Sequence, residues 1–95
     1  MIDIAATFEK YDDDFLKFDL VENKTSYRPD LHAFCLLDRL VPGKGDIVCS
    51  AEHDEIWLGV DIDYLAGAAT EEEILELVRC GIRFDEGTDS LAMFV

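Results

Sequence analysis

The alternation of apolar and polar residues predicts one element more clearly than any other, a helix that begins after Thr70 and ends near Gly81. Thr70 and Glu73 have the spacing of a capping box, in which the hydroxyl accepts from the Glu73 N–H and the carboxylate accepts from the Thr70 N–H. The apolar positions behind this cap repeat at helical spacing: Ile74, Leu75, Leu77 and Val78. Gly81 can adopt the left-handed conformation that commonly follows a helix, so independent signals predict both ends.

Two further helices are predicted in the first 41 residues. Apolar residues four, three and four apart favour a helix over residues 2–14: Ile4, Phe8, Tyr11 and Phe15. Residues 15–21 fit either an alternating strand or a continuation of that helix, and we favour one long or kinked helix. Pro29 suits the first turn of the second helix. The apolar arc of that helix is wide: Leu31, Phe34, Cys35, Leu36, Leu37, Leu40 and Val41.

Period-two alternation predicts two hairpins, one over residues 46–61 and one that pairs residues 82–84 with residues 91–94. If the aliphatic residues of the second strand face the helices, Trp57 faces the other way. Asp61 then caps a short helix of residues 62–68. The sequence therefore predicts one α+β domain over residues 1–95, in which an antiparallel sheet of about four strands carries three or four helices, mainly on one face.

Charge adds the most to this picture. The chain has 22 Asp and Glu residues against 8 Lys and Arg, and no Lys or Arg lies between Lys44 and Arg79. Such a balance opposes direct binding to nucleic acid or to an anionic membrane. No apolar run approaches the roughly 20 residues of a membrane span, and no signal peptide is evident at the start. We expect a cytoplasmic protein.

The three cysteines, Cys35, Cys49 and Cys80, lie in apolar stretches and are far apart in the sequence. We expect buried free thiols. Their spacing does not fit a zinc site, so neither a metal nor another cofactor is predicted.

The densest polar cluster is Glu52-His53-Asp54-Glu55. A histidine beside carboxylates can ligate a metal or act as a general base. Four consecutive residues of a turn point in different directions, however, and the only other histidine is His32 on a predicted helix. A solvated turn is the main interpretation. We assign no catalytic residue, and a metal-dependent enzyme centred on His53 is kept as the second alternative.

Trp57 stands out because it is an aromatic residue among acids. Such a residue can anchor a basic partner, with the acids steering the encounter. The alternative is that the chain's own N-terminal segment covers Trp57. The predicted partner-binding residues are Trp57, Glu52, Asp54, Glu55, Asp61, Asp63, Glu71 and Glu72.

The C-terminal quarter also carries a resemblance. Its motifs are Thr70-Glu71-Glu72-Glu73-Ile74-Leu75, Val78-Arg79-Cys80-Gly81 and Ser90-Leu91-Ala92-Met93-Phe94. These stretches resemble small acidic proteins encoded by bacteriophages, most of them without assigned function. Some members of that class block host defence systems, as anti-CRISPR proteins and DNA mimics do. The resemblance implies a context, the host cytoplasm if a phage encodes the chain, and transfers no functional residue.

Together these observations favour a non-enzymatic module that binds the basic surface of another protein. A concrete form is an inhibitor or DNA mimic that acts on a host nucleic-acid-binding or defence protein. The first alternative is a small accessory or structural protein that forms a homodimer through an apolar sheet face.

Overall fold

The computed structural model describes residues 1–95. Four helices are present: α1 (Ile4–Lys10), α2 (Pro29–Leu40), α3 (Ile62–Ala68) and α4 (Glu71–Arg79). Four strands are present: β1 (Val48–Glu52), β2 (Glu55–Leu58), β3 (Ile82–Asp85) and β4 (Ser90–Phe94). None of the helices combines the length and the apolar character needed to cross a membrane. The predicted α+β class is confirmed.

The strands form a single antiparallel sheet in the order β1-β2-β4-β3. Within each hairpin the two strands pair with each other, and β4 also pairs with β2. Strands β1 and β3 are therefore the two edges of the sheet. Paired residues point to the same face of a sheet. The rows that face the helices are Ile56–Met93–Ile82 and Leu58–Leu91–Phe84.

The hydrophobic core lies between this sheet face and the helices. Ile74 and Leu77 of α4, like Leu58 and Leu91 of the sheet, have no exposed surface. Burying a side chain of this size contributes about 1.5–3 kcal/mol, which is why the amphipathic face of α4 is held on the sheet. Helix α1 packs beside it, with the Phe8 ring 6.4 Å from the ring of Phe84 on β3.

The predicted ends of α4 are confirmed. The Thr70 hydroxyl accepts from the Glu73 N–H at 3.2 Å, and the Thr70 N–H donates to the Glu73 carboxylate at 2.9 Å. Gly81 follows the helix with φ of 98°. Asp61 caps α3 by accepting from the Tyr64 N–H at 3.1 Å.

The predicted long N-terminal helix is wrong. Helix α1 ends at Lys10, and two short 3₁₀ turns follow, Asp12–Asp14 and Phe18–Leu20. Between them Leu16 has φ of 65° and donates its N–H to the Val78 carbonyl at 3.2 Å. Carboxylates oppose the dipole at a helix C-terminus. Asp14 instead accepts from the Arg79 guanidinium at 2.9 Å, so a tertiary ion pair sets the path of this segment.

The expectation of three buried cysteines is also wrong, because only Cys80 is buried and Cys35 and Cys49 are exposed. Burial, helped by the nearby Glu76 carboxylate, raises the pKa of the Cys80 thiol to about 12. Cys35 lies on the solvent side of α2, whose buried positions are His32, Ala33, Leu36, Leu37 and Leu40. Cys49 lies on β1, a strand that no helix covers.

Candidate functional site

The sheet has an outer face, which we define as Glu55, Trp57, Arg83, Asp85, Ala92 and Phe94. The strand register places Trp57, Ala92 and Arg83 in one row across β2, β4 and β3. Because side chains alternate along a strand, this row points away from the helices. The N-terminal segment does not cover it, since Phe8 of α1 contacts Phe84 on the opposite side of the sheet. Trp57 therefore faces outward, as the alternation predicted.

Two polar pairs cross the outer face from β2 to β3. The Trp57 indole N–H donates to the Asp85 carboxylate at 2.8 Å, and the Arg83 guanidinium pairs with the Glu55 carboxylate. Neighbouring strands lie about 4.8 Å apart, so each pair spans roughly 10 Å across the central strand β4. Ala92 lies beneath the crossing and has no exposed surface. Its methyl group is small enough to let both pairs pass over the strand.

These contacts affect the ionisation of Asp85 and the orientation of Trp57. The indole hydrogen bond lowers the pKa of Asp85 below its ordinary value, and the Gly87 N–H contributes to the same shift. The Arg83 guanidinium lies 4.8 Å from the centre of the Phe94 ring. Trp57 is consequently held in one orientation and is only partly exposed.

One margin of the outer face remains apolar and open. Phe94 is 55% exposed and Val95 is 73% exposed. The Val95 N–H donates to the Asp54 carbonyl at 2.7 Å, so the C-terminus runs beside the β1–β2 turn. At this margin the face therefore presents an aromatic ring and an aliphatic residue next to a carboxylate-rich turn.

Strand β1 is exposed throughout. It pairs with β2 on one side only, and all five of its residues are exposed. Its register shifts between Val48 and Ser50, which marks a bulge. Glu52 lies directly opposite Glu55 on β2. Like charges in facing positions of a sheet are destabilising, and Arg83 pairs only with Glu55.

The structure does not gather the predicted partner-binding residues on one surface. Trp57, Glu55 and Glu52 point to the outer side of the sheet, Asp54 lies in the β1–β2 turn, and Asp61 and Asp63 follow the other end of β2. Glu71 and Glu72 lie in the first turn of α4, in the helical layer.

The two acids of the α4 first turn also differ in their surroundings. Glu71 accepts from the Lys10 ammonium at 2.7 Å and from the Tyr11 hydroxyl at 3.0 Å. The Lys10 hydrogen bond, followed by that from Tyr11, lowers the pKa of Glu71. Glu72 is exposed and has no basic partner. Of the two, only Glu72 is therefore available to a partner without breaking a contact within the chain.

Neither role considered for His53, metal ligand or general base, is supported by partner residues in the structure. His53 lies exposed in the turn with φ of 49°. No group of three or more His, Cys, Asp or Glu side chains is placed to hold a metal ion.

His32 is the polar residue that the sequence interpretation missed. It is only 3% exposed. The Thr25 N–H donates to Nδ1 at 3.0 Å, so the ring proton is on Nε2 and is donated to the Glu76 carboxylate at 2.5 Å. Its spacing of four residues from Leu36 was a signal for this buried position.

Cys35 lies one helical turn from His32 and lines the same cavity of about 410 Å³. A cysteine nucleophile needs a neighbouring base to take its proton. Both ring nitrogens of His32 already have partners, so this thiol and histidine do not form a nucleophile–base pair.

Ion pairs account for a minority of the acidic residues. Four of the 22 acids contact a Lys or Arg: Asp14, Glu55, Glu71 and Glu73. Glu76 accepts from the ring of His32, whose other nitrogen is itself an acceptor, so 18 acids have no Lys or Arg partner. Four of the 8 Lys and Arg residues are likewise without an acidic partner: Lys17, Lys24, Arg28 and Lys44. The surface is therefore strongly negative after all internal pairing is counted.

Comparisons with protein-family models, with curated proteins and with solved structures found no match for this chain. Its function therefore has to be inferred from its own residues.

Proposed function

We propose that the chain is a non-enzymatic module that binds the basic surface of a nucleic-acid-binding protein and competes with that protein's DNA or RNA. The observation that carries this proposal is the surplus of 18 acids without a Lys or Arg partner over four Lys and Arg without an acidic partner. A strong one-sign field attracts an oppositely charged surface and raises its rate of association.

The magnitude of the charge supports competition with nucleic acid. Duplex DNA carries one charge per about 1.7 Å of axis, or roughly 18 charges over 30 Å. The protein measures 30 × 28 × 25 Å and has a net charge of −14. A groove built to bind phosphates would therefore meet a charge of the same order over the same length.

Charge attracts many basic partners weakly, so specificity requires an anchor. Trp57 is the candidate, because its indole is already oriented by Asp85 and loses little freedom on binding. Phe94, beside it at the open margin, adds apolar surface that a partner can bury. The resemblance to small acidic proteins of bacteriophages agrees with an inhibitor of a host protein that acts in the host cytoplasm.

The test is competition on a captured partner. The protein is immobilised, partners are captured from a host lysate at low salt and eluted with high salt, and the purified partner is bound to its own DNA or RNA. We expect the protein to displace the nucleic acid, with steep salt dependence. A ternary complex without mutual displacement would show that the acidity does not mimic nucleic acid.

Matched variants separate local from general charge effects. Glu52→Gln with Asp54→Asn removes two unpaired acids next to the outer face, whereas Asp13→Asn with Asp19→Asn removes two from the N-terminal turns. We expect the first pair to slow association more than the second. Trp57→Ala should mainly speed dissociation. Equal effects of both pairs would place the binding surface elsewhere.

A homodimer is the second candidate, because the open margin of the outer face exposes Phe94 and Val95. Two chains of charge −14 repel, so salt should promote this association, whereas it should weaken binding to a basic partner. Sedimentation at several protein and salt concentrations distinguishes the two.

A further inference from the structure

The free edge of β1 is the part of the fold that offers a partner the most unpaired backbone N–H and C=O groups. In an antiparallel pair, alternate residues direct their N–H and C=O groups away from the neighbouring strand. On β1 these groups have no partner strand, because β1 ends the sheet. Edge strands of folded proteins are commonly blocked by lysine, by proline, by a covering segment or by a bulge. Strand β1 has the bulge near Ser50 and one charged side chain, Glu52, but neither lysine nor proline.

Both faces of β1 are open as well. Ala51 pairs with Ile56 and so points to the helix side, yet it is exposed. Ser50 and Glu52 point to the outer side and are also exposed. The side chains of β1 are therefore open to solvent on both sides of the sheet.

The charge along the β1 edge indicates which kind of strand can pair with it. Asp46 precedes β1, Glu52 ends it and Asp54 follows in the turn, and none of the three has a basic partner. Glu52 also faces Glu55, but Arg83 pairs with Glu55 alone. A cation placed beside Glu52 would therefore pair a carboxylate that has no basic partner in this chain. A second copy of the chain would bring the same acids to the edge, so it fits less well.

We infer that an extended, basic segment of a partner protein pairs with β1 as a fifth strand. On β1 the residues toward the helix side, Val48 and Ala51, are apolar, and those on the outer side, Ser50 and Glu52, are polar. The matching segment alternates apolar residues on the helix side with lysine or arginine on the outer side. The inference rests on the proposed function for the sign of the partner's charge and adds the mode of binding.

The probe is an acetylated, amidated octapeptide of alternating lysine and valine, added to the isotope-labelled full chain. The control peptide has the same sequence with alternate backbone nitrogens methylated, which keeps the charge and removes the donors of one edge. We expect the amide resonances of residues 48–52 to shift and their hydrogen exchange to slow only with the unmethylated peptide. The control should bind about tenfold more weakly, because the backbone hydrogen bonds are lost.

A protein variant tests the charge in the same assay. Glu52→Lys should weaken binding of the unmethylated peptide severalfold, whereas Glu86→Lys, at an exposed acid of the β3–β4 turn, should change it much less. Equal binding of the two peptides, or shifts centred on Trp57 and Arg83 instead of β1, would overturn the edge mode.

The remaining outcomes separate this inference from the proposed function. Displacement of nucleic acid from a captured partner without any perturbation of β1 would overturn the edge mode alone. Binding of the octapeptide to β1 without such displacement would support the edge mode and reject mimicry. Perturbation of the β1 amides by increasing protein concentration alone would identify a second copy as the occupant and overturn the inference.

Discussion

Replacing Gly81 with alanine tests the junction on which α4, β3 and the N-terminal turns converge. Gly81 has φ of 98°, a conformation that costs a residue with a Cβ about 1–2 kcal/mol. The new Cβ would also lie 2.8 Å from Leu16 Cδ2. Leu16 is 66% exposed, so its side chain can rotate away for about 1 kcal/mol or less. The backbone conformation should therefore account for most of the loss.

Gly67→Ala is the matched control. Gly67 lies in α3, and a Cβ there would have no atom within 4 Å. Alanine in a helix is more stable than glycine by about 0.5–1 kcal/mol, so this variant should gain stability. For a domain of this size, each kcal/mol changes the melting temperature by about 4–8 °C. The same substitution should thus have opposite signs at the two sites in urea unfolding followed by circular dichroism.

Measuring Gly81→Ala in a Leu16→Ala variant separates the cost of the backbone conformation at Gly81 from the cost of the steric contact with Leu16. If the backbone dominates, Gly81→Ala costs nearly the same in both backgrounds, and the coupling energy is below about 0.5 kcal/mol. Loss of the entire cost in the Leu16→Ala background would mean that Leu16 is held rigidly and that the steric contact dominates. A gain of stability from Gly81→Ala alone would refute the left-handed conformation itself.

The remaining predictions concern the cap, the thiols, the surface charge and the indole contact. Thr70→Ala should lower the free energy of unfolding by about 1 kcal/mol, because an N-terminal amide of α4 loses its acceptor; an unchanged urea midpoint would contradict this. Two thiols should react with a thiol reagent in the native protein and Cys80 only after unfolding; three fast thiols would show that Cys80 is accessible. Sodium chloride should raise the melting temperature by screening self-repulsion, since the Debye length falls to about 3 Å at 1 M; a decrease would indicate that paired charges dominate. The pKa of Asp85 is lower in the folded protein than in the unfolded chain. The stability that its contacts contribute is therefore fully present above the unfolded pKa and is lost only as the pH falls through the lower folded pKa. The fluorescence of Trp57, the sole tryptophan, should therefore change only at a pH below the ordinary pKa of an aspartate, and Asp85→Asn should abolish that change.

Elements determined by nearby residues could be predicted from the sequence. The capping box of Thr70, the cap at Asp61 and the left-handed Gly81 each depend on contacts within about four residues. The outward direction of Trp57 follows from alternation along one strand. These features were predicted correctly because the sequence lists their interacting groups side by side.

The candidate site required the tertiary structure. The Trp57–Asp85 hydrogen bond joins residues 28 apart, and the Arg79–Asp14 pair that holds the segment after α1 joins residues 65 apart. Nothing in a short stretch of sequence states that β4 would lie between β2 and β3, or that β1 would be left as an open edge. The sequence by itself determined both ends of α4, the cap of α3, the strand faces and the negative charge. The fold decided which acids are neutralised and which strand remains unpaired, because long-range packing, not local hydrogen bonding, sets the neighbours of those groups.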